Sequence, residues 1–160
     1  MAAKVKPVPA GYHTATPYLV VSDANRAIDF YKQAFNAEEV MRMGGPGGKI
    51  AHAELRIGDS VIMLSDEMPT GIARSPQSLG GTTASVFLYV NDVDSVYNKA
   101  TSSGAKGHTA PQDMFWGDRF GQIIDPFGHC WGLATHIEDV APEEMSRRMK
   151  AAMPQMAQSA

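Results

Sequence analysis

The feature that most constrains the fold is an order of predicted elements that occurs twice along the chain. A strand, a helix and three further strands are predicted within residues 14–65, and the same order returns within residues 84–136. Ser22 or Asp23 is expected to cap the first predicted helix and Asn91 or Asp92 the second, because serine, asparagine and aspartate are favoured N-cap residues. Neither half can bury both faces of its own sheet, so the two halves are expected to pair, either within one chain or across a dimer.

The segment between the two halves has a different character. It is rich in proline, glycine and serine and shows no periodicity, which is typical of a domain boundary or a functional loop. A last amphipathic helix carries a stripe of methionines that is expected to pack on the body of the protein or on a partner subunit. We therefore predict a single domain over residues 1–160, with module one at 12–65, a linker loop at 66–83, module two at 84–136 and a C-terminal helix at 142–153.

Composition excludes several classes of partner. Fourteen Lys and Arg against seventeen Asp and Glu leave a net charge of -3, which does not favour DNA, RNA or an anionic membrane. No apolar run approaches the roughly 18 residues that a membrane-spanning helix needs. The single cysteine, Cys130, can form neither an internal disulfide nor a multi-thiolate metal site. We expect a cytoplasmic protein whose partner is a small molecule, with no nucleic acid and no membrane.

Several short motifs, taken in this order, resemble the vicinal-oxygen-chelate superfamily of glyoxalases, bleomycin-resistance proteins and dioxygenases. They are Val21-Ser-Asp23 with Ala27-Ile-Asp-Phe-Tyr31, then Tyr89-Val-Asn-Asp92, and Asp125-Pro-Phe-Gly128. Four others resemble its PhnB-like branch: Thr16-Pro-Tyr-Leu-Val20, Ser75-Pro-Gln-Ser-Leu-Gly-Gly81, Trp116-Gly-Asp-Arg119 and Ala134-Thr-His136. The resemblance implies an α+β fold of two paired βαβββ modules, which form curved mixed sheets around a ligand cup with the helices outside. It also implies a homodimer.

The resemblance further implies where family enzymes hold a metal ion. The four ligand positions fall at Thr16, Met63, Val86 and Gly132, and a one-residue shift in register offers no better donors. A divalent metal needs imidazole or carboxylate ligands, which none of these residues supplies. We therefore expect no metal at the usual site and no cofactor.

Two polar residues remain as candidates for chemistry. A two-residue turn at Gly58-Asp59 pairs Glu54 with Met63 across a hairpin. Because the resemblance places Met63 in the cup, His52 and Glu54 are expected to face the cup too. They could act as acid and base or replace the missing ligands, or they could form a solvated, hydrogen-bonded pair.

The remaining candidates are expected to line the ligand groove. Trp116 could stack on a planar ligand and Arg119 could bind a carboxylate or phosphate, but the two could also fill a dimer interface and a salt bridge. Phe115 suits either role. Tyr18, together with Leu88, is expected to complete an apolar wall. His136 could bind a ligand at the rim, or a metal with His52, or simply contact water.

Three functions follow from these residues. The first is a metal-independent, homodimeric binding protein that sequesters an antibiotic or a toxic metabolite. The second is a lyase, isomerase or dioxygenase with a rebuilt site at His52 and Glu54, with or without His136. The third is an interaction or regulatory module whose cup no longer binds a ligand.

Overall fold

The computed structural model describes residues 5–156, which contain eight strands and four α-helices. Within that range no helix is long and apolar enough to cross a membrane. The strands are β1 (Tyr18–Val21), β2 (Glu38–Gly44), β3 (Ile50–Ile57), β4 (Ser60–Asp66), β5 (Ser85–Tyr89), β6 (Lys106–Asp113), β7 (Asp118–Ile124) and β8 (Cys130–His136). The helices are α1 (Ala24–Phe35), α2 (Pro76–Leu79), α3 (Val93–Ser102) and α4 (Pro142–Met156).

The strands form two four-stranded sheets of the same topology. The first sheet has the order β1-β4-β3-β2 and the second has the order β5-β8-β7-β6. In each sheet the edge strand that precedes the long helix runs parallel to its neighbour, and the other pairs are antiparallel. The predicted α+β fold of repeated βαβββ modules is therefore confirmed.

The ends of the elements follow from local chemistry. The side chain of Asp23 accepts a hydrogen bond from the amide of Arg26 at the start of α1, and Asp92 does the same at the start of α3. Strand β1 begins at Tyr18, later than the sequence suggests, because Pro17 has no amide hydrogen to donate to a ladder. Helix α2 lies inside the segment predicted as a loop.

One core joins the two modules through their helix-covered faces. Tyr31 and Phe35 of α1 pack on Trp131 of β8, with ring centroids 5.2 and 4.7 Å apart. Helix α1 also packs along α3, and the buried residues of both modules form a single hydrophobic cluster. Because each sheet uses one face for this shared core, its other face is open. We call these surfaces the open faces of the first and second sheets.

The turn between β7 and β8 ties the modules together. Its Asp125 carboxylate is almost fully buried and accepts hydrogen bonds from the backbone amides of Phe127 and His129. The same carboxylate accepts from Tyr31 Oη at 2.7 Å and from Trp131 Nε1 at 2.9 Å. The turn motif that begins at Asp125 therefore also connects α1 of module one to β8 of module two.

Candidate ligand-binding site

The open face of the second sheet is built from alternate residues of β5, β8 and β7. Side chains of a strand alternate between the two faces, and the register aligns the outward ones in rows across the three strands. Small residues occupy the middle of the face, because β8 contributes glycine and alanine at two successive outward positions. The rows are Ser85–Cys130–Ile124, Phe87–Gly132–Gln122, Tyr89–Ala134–Phe120 and, at the far end, His136–Asp118.

An aromatic pair lies across the centre of this face. The rings of Phe87 and Phe120 stack with centroids 5.7 Å apart and planes 10° apart. They can do so because Gly132 lies beneath them, where an added Cβ would be only 2.7 Å from Phe87 Cδ2. Phe87 is nevertheless 47% exposed, so one side of the pair is open to solvent.

A buried carboxylate fixes three more rings beside this pair. Asp118 is 4% exposed and accepts hydrogen bonds from Trp116 Nε1 and from Tyr89 Oη, both at 3.1 Å. The ring of Trp116 also contacts Phe120, at a centroid distance of 6.2 Å. Together Phe87, Tyr89, Trp116 and Phe120 form a continuous surface, which we call the aromatic face.

His136 is the third ring held by Asp118. Its Nδ1 lies 2.8 Å from Asp118 Oδ1 and its Nε2 lies 3.0 Å from Asp139 Oδ1. Both ring nitrogens must donate to satisfy two carboxylates, so this geometry requires the imidazolium form. Asp139, followed by Asp118, accordingly raises the pKa of His136 above its ordinary value.

Of the other two groove candidates, one lies near the aromatic face and one does not. Phe115 packs edge-on against Trp116 at a centroid distance of 5.0 Å. Arg119 instead projects from the opposite side of β7, where it forms ion pairs with Asp94 at 2.6 Å and Asp113 at 2.9 Å. The reason is alternation, because Arg119 lies between two residues that face outward. The structure therefore does not bring Arg119 to the ligand face. Its side chain instead forms salt bridges, the alternative that the sequence left open.

The open face of the first sheet carries the other candidates. The predicted pairing of Glu54 with Met63 is confirmed, and Met63 in turn lies beside Tyr18 of β1. On its other side Glu54 lies opposite Met41 of β2. These four side chains therefore form one row across the sheet, in which Glu54 is the single ionised member.

A chain of hydrogen bonds surrounds that glutamate. Tyr12 donates its hydroxyl to Glu54, whose Oε1 lies 3.2 Å from His52 Nε2, and His52 Nδ1 lies 3.1 Å from Tyr18 Oη. Although Glu54 is only 8% exposed, the bond from Tyr12, above all, lowers the pKa of its carboxyl group. The same bond raises the pKa of Tyr12. The arrangement holds a carboxylate acceptor beside a protonated phenol.

Tyr12 is a residue that sequence reasoning missed. It precedes β1, in a segment without a periodic pattern, and lies 42 residues before its partner Glu54. Nothing in the sequence around Tyr12 indicates this contact, because only folding brings the segment over the open face of the first sheet.

The predicted orientation of β5 was wrong by one residue. Val86 and Leu88 pack against the shared core, and Phe87 faces outward, so Leu88 is not part of a ligand wall. Counting back from the helix N-caps shows which residues of β1 and β5 are equivalent. Phe87 stands five residues before Asp92, just as Tyr18 stands five residues before Asp23. Strand β5 therefore offers a phenylalanine at the position beside Gly132.

The residues present do not fit a divalent metal at the positions that family resemblance implies. Met63 offers only a thioether, and the space above Gly132 is filled by the ring of Phe87. His52 and His136 lie on open faces of different sheets. Across residues 5–156 no group of three or more His, Cys, Asp or Glu side chains is placed to hold a metal ion.

Comparison with known proteins gives three informative matches. A sequence profile of the Glyoxalase/Bleomycin resistance protein/Dioxygenase superfamily matches residues 12–133. An uncharacterized protein of Mycobacterium tuberculosis is 45% identical over 139 residues, which are 85% of this chain and 82% of that protein. The crystal structure of TioX from Micromonospora sp. ML1 is 28% identical with a TM-score of 0.61, over 77% of this chain and 99% of that one.

A more distant structural match shares the fold. The fosfomycin resistance protein FosX of Listeria monocytogenes, in complex with Mn(II) and sulfate, has a TM-score of 0.60 and 18% sequence identity. The match covers 82% of this chain and 95% of that one.

Proposed function

Because the chain belongs to the glyoxalase/bleomycin resistance protein/dioxygenase superfamily, we propose that it binds a small organic molecule on the aromatic face, without a metal ion. The observation that carries this proposal is the stacked pair of Phe87 and Phe120, one side of which is open to solvent. Tyr89 beside it is 66% exposed. Exposed aromatic clusters of this kind are typical of binding surfaces.

The chemistry of the face favours a planar ring. The two stacked rings present one flat surface, and a planar ligand gains both apolar burial and ring stacking there. Trp116 stands at the end of this surface, and its indole is already fixed by Asp118. Because Asp118 receives hydrogen bonds from three protein groups, it orients the rings and does not need a cationic ligand.

The biological use that we propose is sequestration of an antibiotic or a toxic metabolite in the cytoplasm. The segment from Trp116 to Arg119 resembles one that lines the ligand groove of bleomycin-resistance proteins, and of its two side chains Trp116 lies on the aromatic face while Arg119 does not. A fosfomycin resistance protein shares the fold. The PhnB-like motifs assign the chain, within this proposal, to that branch of the superfamily.

We further propose that the protein is a homodimer. Both open faces expose large apolar side chains, including Tyr18 (49%), Met43 (53%) and Phe87 (47%). A dimer that places the first sheet of one subunit over the second sheet of its partner would cover both faces and enclose the ligand. Analytical ultracentrifugation tests this assembly, and a monomer at micromolar concentration would contradict it.

Naphthalene is a suitable probe for the aromatic face, because it offers a planar ring and no polar group. We expect it to bind the wild-type protein, and we expect Phe87→Ala to weaken its affinity by about tenfold. The matched control is Ile72→Ala, since Ile72 is fully exposed on the linker. Failure of wild-type protein to bind naphthalene would contradict the proposal and favour an interaction module, and equal affinity of Phe87→Ala would also contradict it.

Metal content gives an independent test. The purified protein is loaded with zinc, nickel, manganese or iron, dialysed and subjected to elemental analysis. We expect no retained metal. About one tightly bound ion per chain would overturn the metal-independent proposal, and would direct mutagenesis to His52, Glu54 and His136.

The hydrogen-bonded chain on the first sheet favours a second candidate, an enzyme with acid–base chemistry. Ionised Glu54 could accept a proton from a substrate carbon, and as Glu54 becomes protonated the Tyr12 hydroxyl is released to donate its hydrogen to the developing oxyanion. Exchange of the carbon-bound protons of hydroxyacetone with D2O, followed by NMR, tests this reaction class. Acceleration that is lost in Glu54→Gln supports the enzyme, and no acceleration by wild-type protein contradicts it.

A further inference from the structure

A cavity of about 510 Å³ adjoins the aromatic face at the end of the second sheet remote from Trp116. Its floor consists of outward residues of β7 and β8, namely Gln122, Ile124 and Cys130. Its opposite wall is the segment from Pro76 to Thr82, which contains α2. The cavity has the volume of an ordinary small-molecule pocket.

The α2 wall is held in place by Glu67, the residue that follows β4. The Glu67 carboxylate accepts hydrogen bonds from the amide of Ser75 at 2.8 Å and from Arg74 Nη1 at 2.9 Å. These bonds, those of Ser75 above all, lower the pKa of Glu67 to about 2. The N-terminal end of the wall is therefore tethered to the strand that precedes it.

The same wall is also attached to module two. Gln77 Nε2 donates to the carbonyl of Pro126 at 3.0 Å. Pro76 lies so close to the turn before β8 that a Cβ on Gly128 would be 2.8 Å from Pro76 Cβ. Gly128 also has a φ of +89°, which only glycine adopts readily. The contacts with Glu67 and with the turn before β8 therefore fix the N-terminal half of α2 as a wall of the cavity.

The lining indicates what the cavity can hold. Its surface is mainly apolar, and its lining residues include no Asp, Glu, Lys or Arg. Burial raises the pKa of the Cys130 thiol, so this group is neutral at physiological pH. A charged group would lose its hydration there and find no carboxylate, ammonium or guanidinium partner, since the titratable side chains of the lining are His108 and Cys130, whereas an apolar group would gain by burial.

The cavity and the aromatic face lie side by side on the open face of the second sheet. Gln122 in the cavity floor lies directly across from Gly132, and Gly132 lies beneath Phe87. Successive outward residues of a strand are about 7 Å apart, which is the length of one ring. We infer that the cavity is a second subsite of the proposed ligand site, and that it takes an uncharged apolar group attached to the ring bound on the aromatic face. This inference rests on the proposed function.

Two probes separate the subsites. Naphthalene offers a single planar ring, and N-phenyl-1-naphthylamine adds an uncharged phenyl group to it. We expect the wild-type protein to bind the second probe roughly tenfold more tightly, because the phenyl group is buried in the cavity. Fluorescence titration measures both affinities.

Substitutions that fill the cavity provide the test. Gly81→Leu and Cys130→Leu add volume from the two opposite walls, and a Cβ on Gly81 meets no atom within 4 Å. Each is expected to abolish the advantage of N-phenyl-1-naphthylamine while leaving naphthalene affinity unchanged, which also shows that the variant is folded. Ala73→Leu, an exposed position on the same segment outside the cavity, is the matched control and should bind both probes as wild type does.

The outcomes distinguish this inference from the function on which it rests. If both filled variants bind N-phenyl-1-naphthylamine as tightly as wild-type protein, the second subsite is refuted and the aromatic face stands. The subsite is equally refuted if wild-type protein does not prefer that probe to naphthalene. If wild-type protein binds neither probe, both the subsite and the proposed function are refuted.

Discussion

Replacement of Tyr31 by phenylalanine removes a single oxygen atom from the contact between the two modules. The hydroxyl donates to Asp125 Oδ2 at 2.7 Å, and Tyr31 is fully buried. Burial and the nearby carboxylate raise the pKa of Tyr31 well above its usual value, so the hydroxyl is a donor at any ordinary pH. The ring itself, with its packing on Phe35 and Trp131, is retained in the variant.

The size of the effect follows from the charge of the acceptor. A hydrogen bond to a charged group contributes about 1.5–3 kcal/mol to the free energy of unfolding. Asp125 keeps its bond from Trp131 and its two backbone donors, so no further structural loss is expected. For a domain of this length, each kcal/mol lost from the free energy of unfolding lowers the melting temperature by about 2–4 °C. The expected decrease for Tyr31→Phe is therefore roughly 3–12 °C.

Calorimetry and urea unfolding of Tyr31→Phe measure this loss directly. Tyr18→Phe is the control, because it removes a hydroxyl from a half-exposed ring and should change stability by no more than about 0.5 kcal/mol. A Tyr31→Phe protein as stable as wild type would refute the reasoning that this bond holds the modules together. Two separate unfolding transitions in the variant would strengthen it.

Three further changes test the site. Gly132→Ala should push the ring of Phe87 out of its stack and weaken naphthalene binding several-fold; unchanged affinity would contradict the flat aromatic surface. Asp139→Asn should lower the pKa of His136 toward its ordinary value in an NMR titration of the ring, since Asp139 is the main cause of the raised pKa. The stability gained from protonated His136 is present below its unfolded pKa and is lost as pH rises through the folded pKa, so in this variant the loss moves to lower pH. Arg119→Ala should leave naphthalene affinity unchanged, and a clear loss of affinity would show that this side chain reaches the ligand.

The repeat of element order, the helix caps and the hairpin pairing of Glu54 with Met63 could all be predicted from the sequence. Each depends on neighbouring residues, such as a capping aspartate or a two-residue turn, and local chemistry is visible in a sequence. The face to which a strand directs its side chains was harder to predict. For β5 a shift of one residue exchanges Leu88 for Phe87 and so changes the character of the site.

What the sequence could not show depends on long-range contacts. Tyr12 reaches Glu54 across 42 residues, and the three rings around Asp118 come from β5, β8 and the turn before β7. The cavity beside α2 depends on attachments at Glu67, which follows β4, and at Pro126, in the turn before β8. A periodic pattern in the sequence does not predict such contacts, because they join segments that are far apart in the sequence and become neighbours only in the folded chain.

The close fit of Phe87 over Gly132 also limits how this chain can change in evolution. In family enzymes that hold a metal, the resemblance implies that one of the four imidazole or carboxylate ligands stands at the position of Gly132. A glutamate introduced here alone would carry its Cβ into the ring of Phe87, so the variant would lose the aromatic surface before it gained a useful ligand. A smaller residue at position 87 has to come first, and that change by itself sacrifices the stacked pair. A protein with only one of the two substitutions would therefore have neither the stacked aromatic pair nor the metal ligands. The order in which the substitutions occur matters as much as which residues are introduced.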